Sequence, residues 1–480
     1  MKLSNQLLRG LTMAGLAIAG ADNTQTLRKV MYIDQYHASI LPGKNVTQGI
    51  THAIMAFANS SLFATDPKGD FKPFMDPSAV RAMFDNGTKL CIALGGWGDT
   101  AGFSEGAKTE ESRKLYAKNV KEMVDWYKFD CVDVDWEYPG GNGADYKQTP
   151  NADKAGEIET FPLFLRELKS ALGPDKTLSI AVPGTQQDMI AYKANNNRNQ
   201  SASIFDTVDM VNLMSYDLMM RRSNETQHHT SVEGALEAVQ TYMDLGAPAA
   251  KINLGFAFYA KYFETPANTT CSGPVGCKIV LAENADGSDA QTSGAMTFEQ
   301  ANVHPPPVPA TLTPTTDGSC GASTKGLTCA GVPGAPCCSQ YGYCGSTPDF
   351  CGQMCQVPYS SGCTGPDALK SFHTALARGV LDDVEGGMWF WDSEARLYWT
   401  WESIDLMNRK YREIVKPLRL GGVMAWSLGE DSADWSRVQA LTQMGSNGRS
   451  KPQFPGHDMG GKDSSNANIH LRAHAHGRVH

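Results

Sequence analysis

The sequence predicts an α/β fold: a closed (β/α)8 barrel with a small lobe inserted after its seventh strand. Three observations carry that prediction. Short apolar, β-rich runs alternate with helical stretches, which implies a parallel sheet. Eight such runs over this length fit a closed barrel better than an open sheet. The glycine-rich phosphate fingerprint that an open doubly wound sheet carries after its first strand is absent.

In chain order the runs are KVMYIDQY, HAIMAFA, KLCIALGG, CVDVDWEY, TLSIAVP, MVNLMSYD, KINLGFAFY and GGVMAWSL. Between them, RKLYAKNVKEMVDWY and FPLFLRELKSALG place apolar residues at three- and four-residue spacing, the period of a helix packed on one face. The rhythm breaks between about Phe263 and Leu381, so an insertion sits there. It opens with a loop holding Cys271 and Cys277, close enough to bridge. The linker HPPPVPATLTPTTDGS then leads into a cysteine cluster. Helical ALKSFHTALARG and the aromatic stretch GGMWFWDSEARLYWTWES follow before the last run.

The chain of 480 residues is ample for one large domain and a small module. A formal net charge of -9 and the lack of a basic stripe argue against nucleic acid as a partner; a neutral polymer is indifferent to that charge. Residues 1–21 carry Lys2, a short apolar stretch interrupted by Arg9, and the small residues Ala19-Gly20-Ala21. They read as a secretion signal cleaved before Asp22. No later stretch is long and apolar enough to span a bilayer. Eight of the 12 cysteines fall between Cys320 and Cys363, a density that marks a disulfide scaffold and an oxidising compartment. Sequons at Asn45, Asn59, Asn86, Asn199, Asn224 and Asn268 agree with a secreted, extracellular protein.

FDCVDVDWEYPGG is the most informative segment. Side chains alternate along a strand, so Asp133, Asp135 and Glu137 share one face and Val132, Val134 and Trp136 the other. The apolar set packs on the helices, which leaves three acids pointing into the barrel mouth. Three carboxylates so confined cannot all ionise cheaply, so at least one pKa must rise. Glu137, last on this strand before Tyr138-Pro139-Gly140-Gly141, falls at the C-terminal rim where barrel enzymes keep their chemistry. A calcium site would need more oxygen ligands, and the flanks are apolar and aromatic instead.

Asp130-x-x-Asp133-x-Asp135-x-Glu137 resembles the signature of glycoside hydrolase family 18, the chitinases. KLCIALGGW looks like the family's third-strand S-x-G-G motif at Ala93-Leu94-Gly95-Gly96. Met214-Ser215-Tyr216-Asp217 is similar to its sixth-strand M-x-Y-D, and GGVMAWSL supplies the eighth-strand Trp426. The resemblance implies retaining, substrate-assisted hydrolysis of β-1,4-linked N-acetylglucosamine. Glu137 would protonate the leaving oxygen, and the substrate's own acetamide would attack. Asp135 would hold the acetamido N–H, Asp133 would share a proton with Asp135, Tyr216 would hold the acetamido oxygen, and Asp217 would orient the sugar. Trp426 would floor the ring. Met214, Trp97, Tyr32, Phe57 and Tyr259 match cleft positions more loosely. No cofactor or metal is implied, and the expected partners are chitin and its oligosaccharides, with no nucleic acid or membrane, for a monomer.

The sequence departs from the family in three places. Ala93 stands where a serine is usual, so a hydrogen bond steadying the inner aspartates is expected to be missing. Cys131 replaces a usual glycine in phase with the acids, and Cys91 is in phase with Ala93; packed free thiols are expected there. Lys261, in GFAFYAKYF, replaces an arginine.

From Cys320 to Cys363 the spacing is C-x8-C-x7-C-C-x5-C-x6-C-x3-C-x7-C, and CCSQYGYCGSTPDFC resembles the hevein domain, a small chitin-binding lectin fold. Sequence alone leaves the pairing open. The resemblance implies Cys320–Cys338, Cys329–Cys344, Cys337–Cys351 and Cys355–Cys363, with Ser339, Tyr341, Tyr343 and Phe350 at sugar-binding positions. The flanking segments SGAMTFEQAN and the stretch around Trp389 look like remnants of a small α+β lobe. The expected organisation is a signal peptide (1–21), barrel and start of the lobe (22–315), hevein-like module (316–364), and end of lobe and barrel (365–445). A disordered polar tail (446–480) with His457, His470, His474, His476 and His480 follows. Two rival functions share the barrel: a catalytically weak chitin-binding lectin, and an endo-β-N-acetylglucosaminidase acting on N-glycans.

Overall fold

The computed structural model describes residues 26–194 and 201–446. The signal segment, Asn199 and the histidine-bearing tail lie outside the described residues. Seven parallel strands come first: β1 (Arg28–Asp34), β2 (His52–Ala58), β3 (Lys89–Gly95), β4 (Cys131–Asp135), β5 (Thr177–Pro183), β6 (Met210–Met214) and β7 (Ile252–Ala257). The chain then enters the inserted lobe through β8 (Tyr259–Glu264) and β9 (Ser293–Thr297). Four two-residue strands follow, β10 (Thr313–Pro314) just before the cysteine module and β11 (Leu327–Thr328), β12 (Cys337–Cys338) and β13 (Cys344–Gly345) within it. Helix Ala368–Arg378, β14 (Val380–Asp382), β15 (Gly387–Asp392) and β16 (Leu397–Trp401) complete the lobe. Finally β17 (Gly422–Trp426) slots between β7 and β1 and closes the barrel in the order β1-β17-β7-β6-β5-β4-β3-β2.

The eight sequence runs match the eight barrel strands, because each is buried on both faces and therefore mostly apolar, with a few polar residues on the inward side. Outward residues such as Ile92, Val132, Val134, Ile180 and Leu254 meet the helices in the larger core. In helix Glu110–Tyr127, Tyr116, Val120, Met123 and Val124 line the buried face, and Thr109 caps its start by accepting from Ser112 N. Trp136, on the outward phase, stacks on Phe103 with ring centroids 5.3 Å apart. Inward residues Val30, Tyr32, Ile54, Ala56, Ala93, Tyr216, Tyr259 and Met424 form a second core within the barrel.

Three expectations need correction. Cys91 and Cys131 are not free thiols: they form a disulfide. They are register partners on adjacent strands, both inward and fully buried, with Cα atoms 4.4 Å apart, within bridging reach. Glu137 is not the last residue of its strand. β4 stops at Asp135, which pairs with Gly95, the last residue of β3, and whose carbonyl accepts from Gly96 N (2.8 Å). The lobe is also more than a remnant. β8, β9, β14, β15 and β16 make one five-stranded antiparallel sheet, and the aromatic stretch is its central hairpin, with Met388 opposite Trp401. Tyr262, Phe298, Phe372 and Trp399 pack between that sheet and helix Ala368–Arg378.

The cysteine module has Cys320–Cys338, Cys329–Cys344, Cys337–Cys351 and Cys355–Cys363 bridges, which with Tyr359 make up most of its interior. Cys271–Cys277 closes a loop of the lobe, and its Cys277 exchanges hydrogen bonds with Thr226 of the β6 loop.

Candidate active site

The acid row lies inside the C-terminal mouth of the barrel, with Asp133, Asp135 and Glu137 all buried. Asp133 is the deepest. Tyr32 Oη donates to its Oδ2 (2.7 Å), and Ser179 Oγ (2.5 Å) and Asn212 Nδ2 (3.1 Å) donate to its Oδ1. Asn253 in turn donates to Asn212 Oδ1 at 2.8 Å. Burial pushes the Asp133 carboxyl up in spite of these three donors.

The hydroxyl expected to be missing at Ala93 is thus supplied from the other side. Ala93 and Ser179 are the two register neighbours of Asp133, on β3 and β5, and Ser179 carries the oxygen. With both Asp133 oxygens engaged by Tyr32, Ser179 and Asn212, no hydrogen bond joins Asp133 to Asp135 among the described residues. Asp135 keeps a buried Oδ1 with no partner. Burial raises its pKa most, and the charges of Glu137 and Asp133 add to that.

Glu137 stands at the top of the row. Burial pushes its carboxyl up to about 8; the Tyr138 hydroxyl opposes the rise, and the charges on Asp217 and Asp188 add to it. The turn that follows is anchored from outside the site, as Glu157 accepts from Gly140 N (2.9 Å) and from Ser104 Oγ (2.6 Å). Across the mouth, Gly96 sits at φ +92°, and a Cβ there would come within 2.7 Å of the Phe57 ring. Glycine at this position lets the strand end pass beside the aromatic floor.

That floor is Trp426, at the end of β17, with Phe57 stacked beside it at 5.4 Å and Tyr32 at 5.5 Å. Tyr32 was a candidate cleft residue; it is instead 1% exposed, and its hydroxyl is spent on Asp133 beneath the floor. Met214 is half-buried against the same inner cluster. Tyr216 and Tyr259 meet edge to face at 6.2 Å on the opposite wall. Trp97 stands half exposed at the rim, 6.4 Å from the Tyr138 ring and 5.9 Å from the Arg222 guanidinium.

Asp217 adopts a left-handed backbone, φ +55°, and its side chain is half open to solvent. Tyr259 Oη donates to its Oδ1 (2.8 Å), and Lys261 Nζ lies 3.2 Å from the same oxygen. Burial alone would raise this carboxyl, but the Lys261 ammonium, His229 and Tyr259 outweigh it and hold Asp217 well below the usual carboxylate range. Asp130, first in the acid motif, is outside the site: it accepts from Leu90 N (2.9 Å) and Arg81 Nη1 (2.8 Å) at the base of β4.

Sequence reasoning missed Ser179, Asn212 and Asn253. Each is a polar residue on the inward phase of an otherwise apolar strand, and that isolation was the available signal. It also missed Asp188, which is buried with an unpartnered Oδ1 and lies 3.8 Å from Arg222. Nothing in its loop sequence marks it.

In the cysteine module, Tyr341 and Tyr343 project into solvent at 74% and 60% exposure, while Ser339 is buried and its Oγ accepts from Tyr343 N (3.3 Å). Phe350 is partly buried with its ring against Gly345.

Known proteins share this framework. The chain is 34% identical over 266 residues to Endochitinase 1 of Metarhizium robertsii, covering 49% of this chain and 59% of that protein. It is 28% identical over 261 residues to Chitinase 1 of Aphanocladium album, covering 48% and 59%. The chain therefore spans about three-fifths of the length of these curated relatives. The crystal structure of a chitinase from Rhizomucor miehei superposes with a TM-score of 0.58 at 18% identity, over 87% of this chain and 99% of that one, a likeness of fold. The model for glycosyl hydrolases family 18 matches residues 28–431, from the first barrel strand to beyond the last, and the chain belongs to that family.

Proposed function

We propose that the chain is a secreted chitinase that cleaves β-1,4 linkages between N-acetylglucosamine units with retention, using the substrate's acetamide as nucleophile. One observation carries most of the weight: a buried Glu137 carboxyl, pushed up to about 8, next to an Asp135 whose buried Oδ1 has no partner. The first is an acid that keeps its proton at neutral pH. The second is an acceptor matched to an amide N–H, and a cationic oxazolinium forming beside it favours its ionised form, which in turn stabilises that cation. Asp133 stays in place below and acts on Asp135 through its field. Tyr216 holds the acetamido oxygen, Asp217 orients the sugar, and Trp426 with Phe57 offers flat apolar surface to the C–H face of the ring. Trp97, Met214 and Tyr259 line the remainder of the cleft.

The module spanning 316–364 is the polymer-binding part, with Tyr341 and Tyr343 as its stacking rings, supported by Ser339 and Phe350. Its buried bridges, like the sequons, fit an extracellular monomer whose signal peptide ends at residue 21. The barrel and lobe occupy 22–315 and 365–445, with a polar tail beyond.

Reducing-end release from colloidal chitin, run beside a high-mannose glycoprotein, tests the reading. Soluble chitooligosaccharide is the expected product. Faster cleavage of the glycoprotein would make the enzyme an N-glycan endoglycosidase, and chitin binding without release would make it a lectin. Tyr341→Ala with Tyr343→Ala is expected to weaken retention on insoluble chitin about tenfold, while hydrolysis of a soluble tetramer stays unchanged. Equal losses on both substrates would place the module inside the catalytic cleft.

A further inference from the structure

A buried imidazole that the proposed reaction leaves unused lies behind Asp217. His229, between β6 and helix Val232–Asp244, is fully buried, yet neither ring nitrogen has a hydrogen-bond partner. Its backbone is pinned on both sides: its N–H donates to Thr400 Oγ1 (3.3 Å) on β16, and its carbonyl accepts from Leu218 N (2.9 Å). The ring packs beside Tyr259, with centroids 5.4 Å apart, and points Nδ1 at Asp217 Oδ1 across 3.6 Å. A buried polar ring without partners is costly, and such cases call for a role.

The charged and titratable groups around the ring are Asp217, Tyr259, Lys261 and Lys410. The last is itself held by Thr230 Oγ1 and Glu402, each at 2.6 Å. Burial, with the ammonium groups of Lys261 and Lys410, outweighs the attraction of Asp217 and pushes the imidazole down to about 4, so it is neutral near pH 7. A neutral ring has one donor nitrogen. Asp217 can only accept, so the tautomer with hydrogen on Nδ1 is the one that matches it.

The convergence is one-sided. Tyr259, Lys261 and His229 all address Oδ1 of Asp217, and no described residue forms a hydrogen bond with Oδ2. We propose that His229 is a positioning residue for Asp217, its Nδ1–H closing onto Oδ1 so that Oδ2 stays aimed at the bound sugar. This rests on the chitinase reading of the cleft. Tyr259 and Lys261 act from the lobe strand β8, whereas His229 acts from the barrel side. The carboxylate is thereby gripped from two elements and cannot swing about its Cβ–Cγ bond. Being neutral, His229 contributes direction without altering the charge balance that Lys261 sets.

Atom-specific substitution tests this. His229→Asn retains an amide donor at the δ position, His229→Gln moves it to ε, and His229→Phe removes it. On soluble chitotetraose, the Phe and Gln variants are expected to raise KM about tenfold with kcat changed less than about threefold, and Asn to recover most of that loss. If Asn is no better than Phe, or if all three match wild type, the proposal is overturned. Should the Phe variant fail to fold, the contrast between Asn and Gln still decides. Histidine-selective 15N NMR of the full chain, with His229 assigned by its loss in His229→Asn, gives a readout independent of catalysis. The expected signal is a neutral Nδ1–H ring near pH 7 that shifts on Asp217→Asn. A charged ring, the opposite tautomer, or no response to Asp217→Asn would overturn the proposal. A wild type that fails to cleave chitotetraose while that response persists would sink the chitinase reading and leave the His229–Asp217 coupling standing.

Discussion

Glu137→Gln is expected to lower kcat on soluble chitotetraose by on the order of 10³-fold, within the range that loss of a general acid produces, while KM changes little. Glutamine keeps the shape and the hydrogen-bonding end of the side chain, so the cleft around Trp426 and Asp217 still receives the sugar. What is lost is the proton, and Asp133, fully engaged by Tyr32, Ser179 and Asn212, is not free to supply it. The wild-type rate carries the pH signature of the same group. Activity needs Glu137 protonated, and its carboxyl is pushed up to about 8, so kcat/KM falls as pH rises through that value. A stability effect of the same sense follows. A carboxyl whose folded-state pKa lies above its unfolded value of about 4.3 disfavours folding once it must ionise, so its contribution is lost as pH climbs from there toward 8. Glutamine has nothing to ionise. Melting curves at pH 5 and pH 8 are therefore expected to show a smaller alkaline drop for Glu137→Gln than for wild type. A variant that is inactive and also loses Tm equally at both pH values would mean that Glu137 supports the fold, not the proton transfer.

Replacing both Cys91 and Cys131 with alanine carries the second large effect. The bridge closes a loop of sequence separation 40, for which chain entropy gives roughly 4 kcal/mol of stabilisation. It lies one inward step below the Ala93–Asp133 pair and pins β3 to β4 at the root of the acid row. The denaturation midpoint should fall accordingly, and kcat with it, because the β3–β4 register beneath Asp133 and Asp135 then loses its covalent pin and rests on hydrogen bonds. Denaturant titration of both proteins measures the first, and chitotetraose turnover the second. Alkylation of the unfolded, unreduced chain followed by mass measurement provides the direct check. Two labelled thiols at positions 91 and 131 would remove the bridge from the account.

The barrel was readable because the strands are mostly apolar runs, most of them ending near a glycine, a proline or an acid, and because the acids of β4 alternate with Val132, Val134 and Trp136. Phase along one strand is written in the sequence; register between strands is not. Cys91 and Cys131 lie 40 residues apart in sequence, and only the parallel pairing of β3 with β4 makes them neighbours. The same holds for Ser179, whose hydroxyl does the work expected of a residue at Ala93. Tyr32 was expected at the cleft on a loose match, but its burial, with the hydroxyl turned to Asp133, depends on how the barrel interior packs. His229 and Asp188 sit in connecting segments, where no period exists to mark an inward side. The lobe was underestimated for a different reason. Its five strands come from two stretches of chain separated by the cysteine module, so neither stretch alone shows a sheet.

That interruption has a mechanical consequence. The module leaves the lobe after β9 and returns to it at helix Ala368–Arg378, and Gln353 Nε2 also donates to Glu264 Oε2 of β8 (3.1 Å). A carbohydrate-binding unit hung from one flexible tether samples a volume, and its local concentration at the cleft is set by tether length. A unit bracketed at both ends trades that reach for alignment. On the proposed reading, its exposed Tyr341 and Tyr343 would meet the polymer along a line fixed by the lobe, more like a rail than a leash.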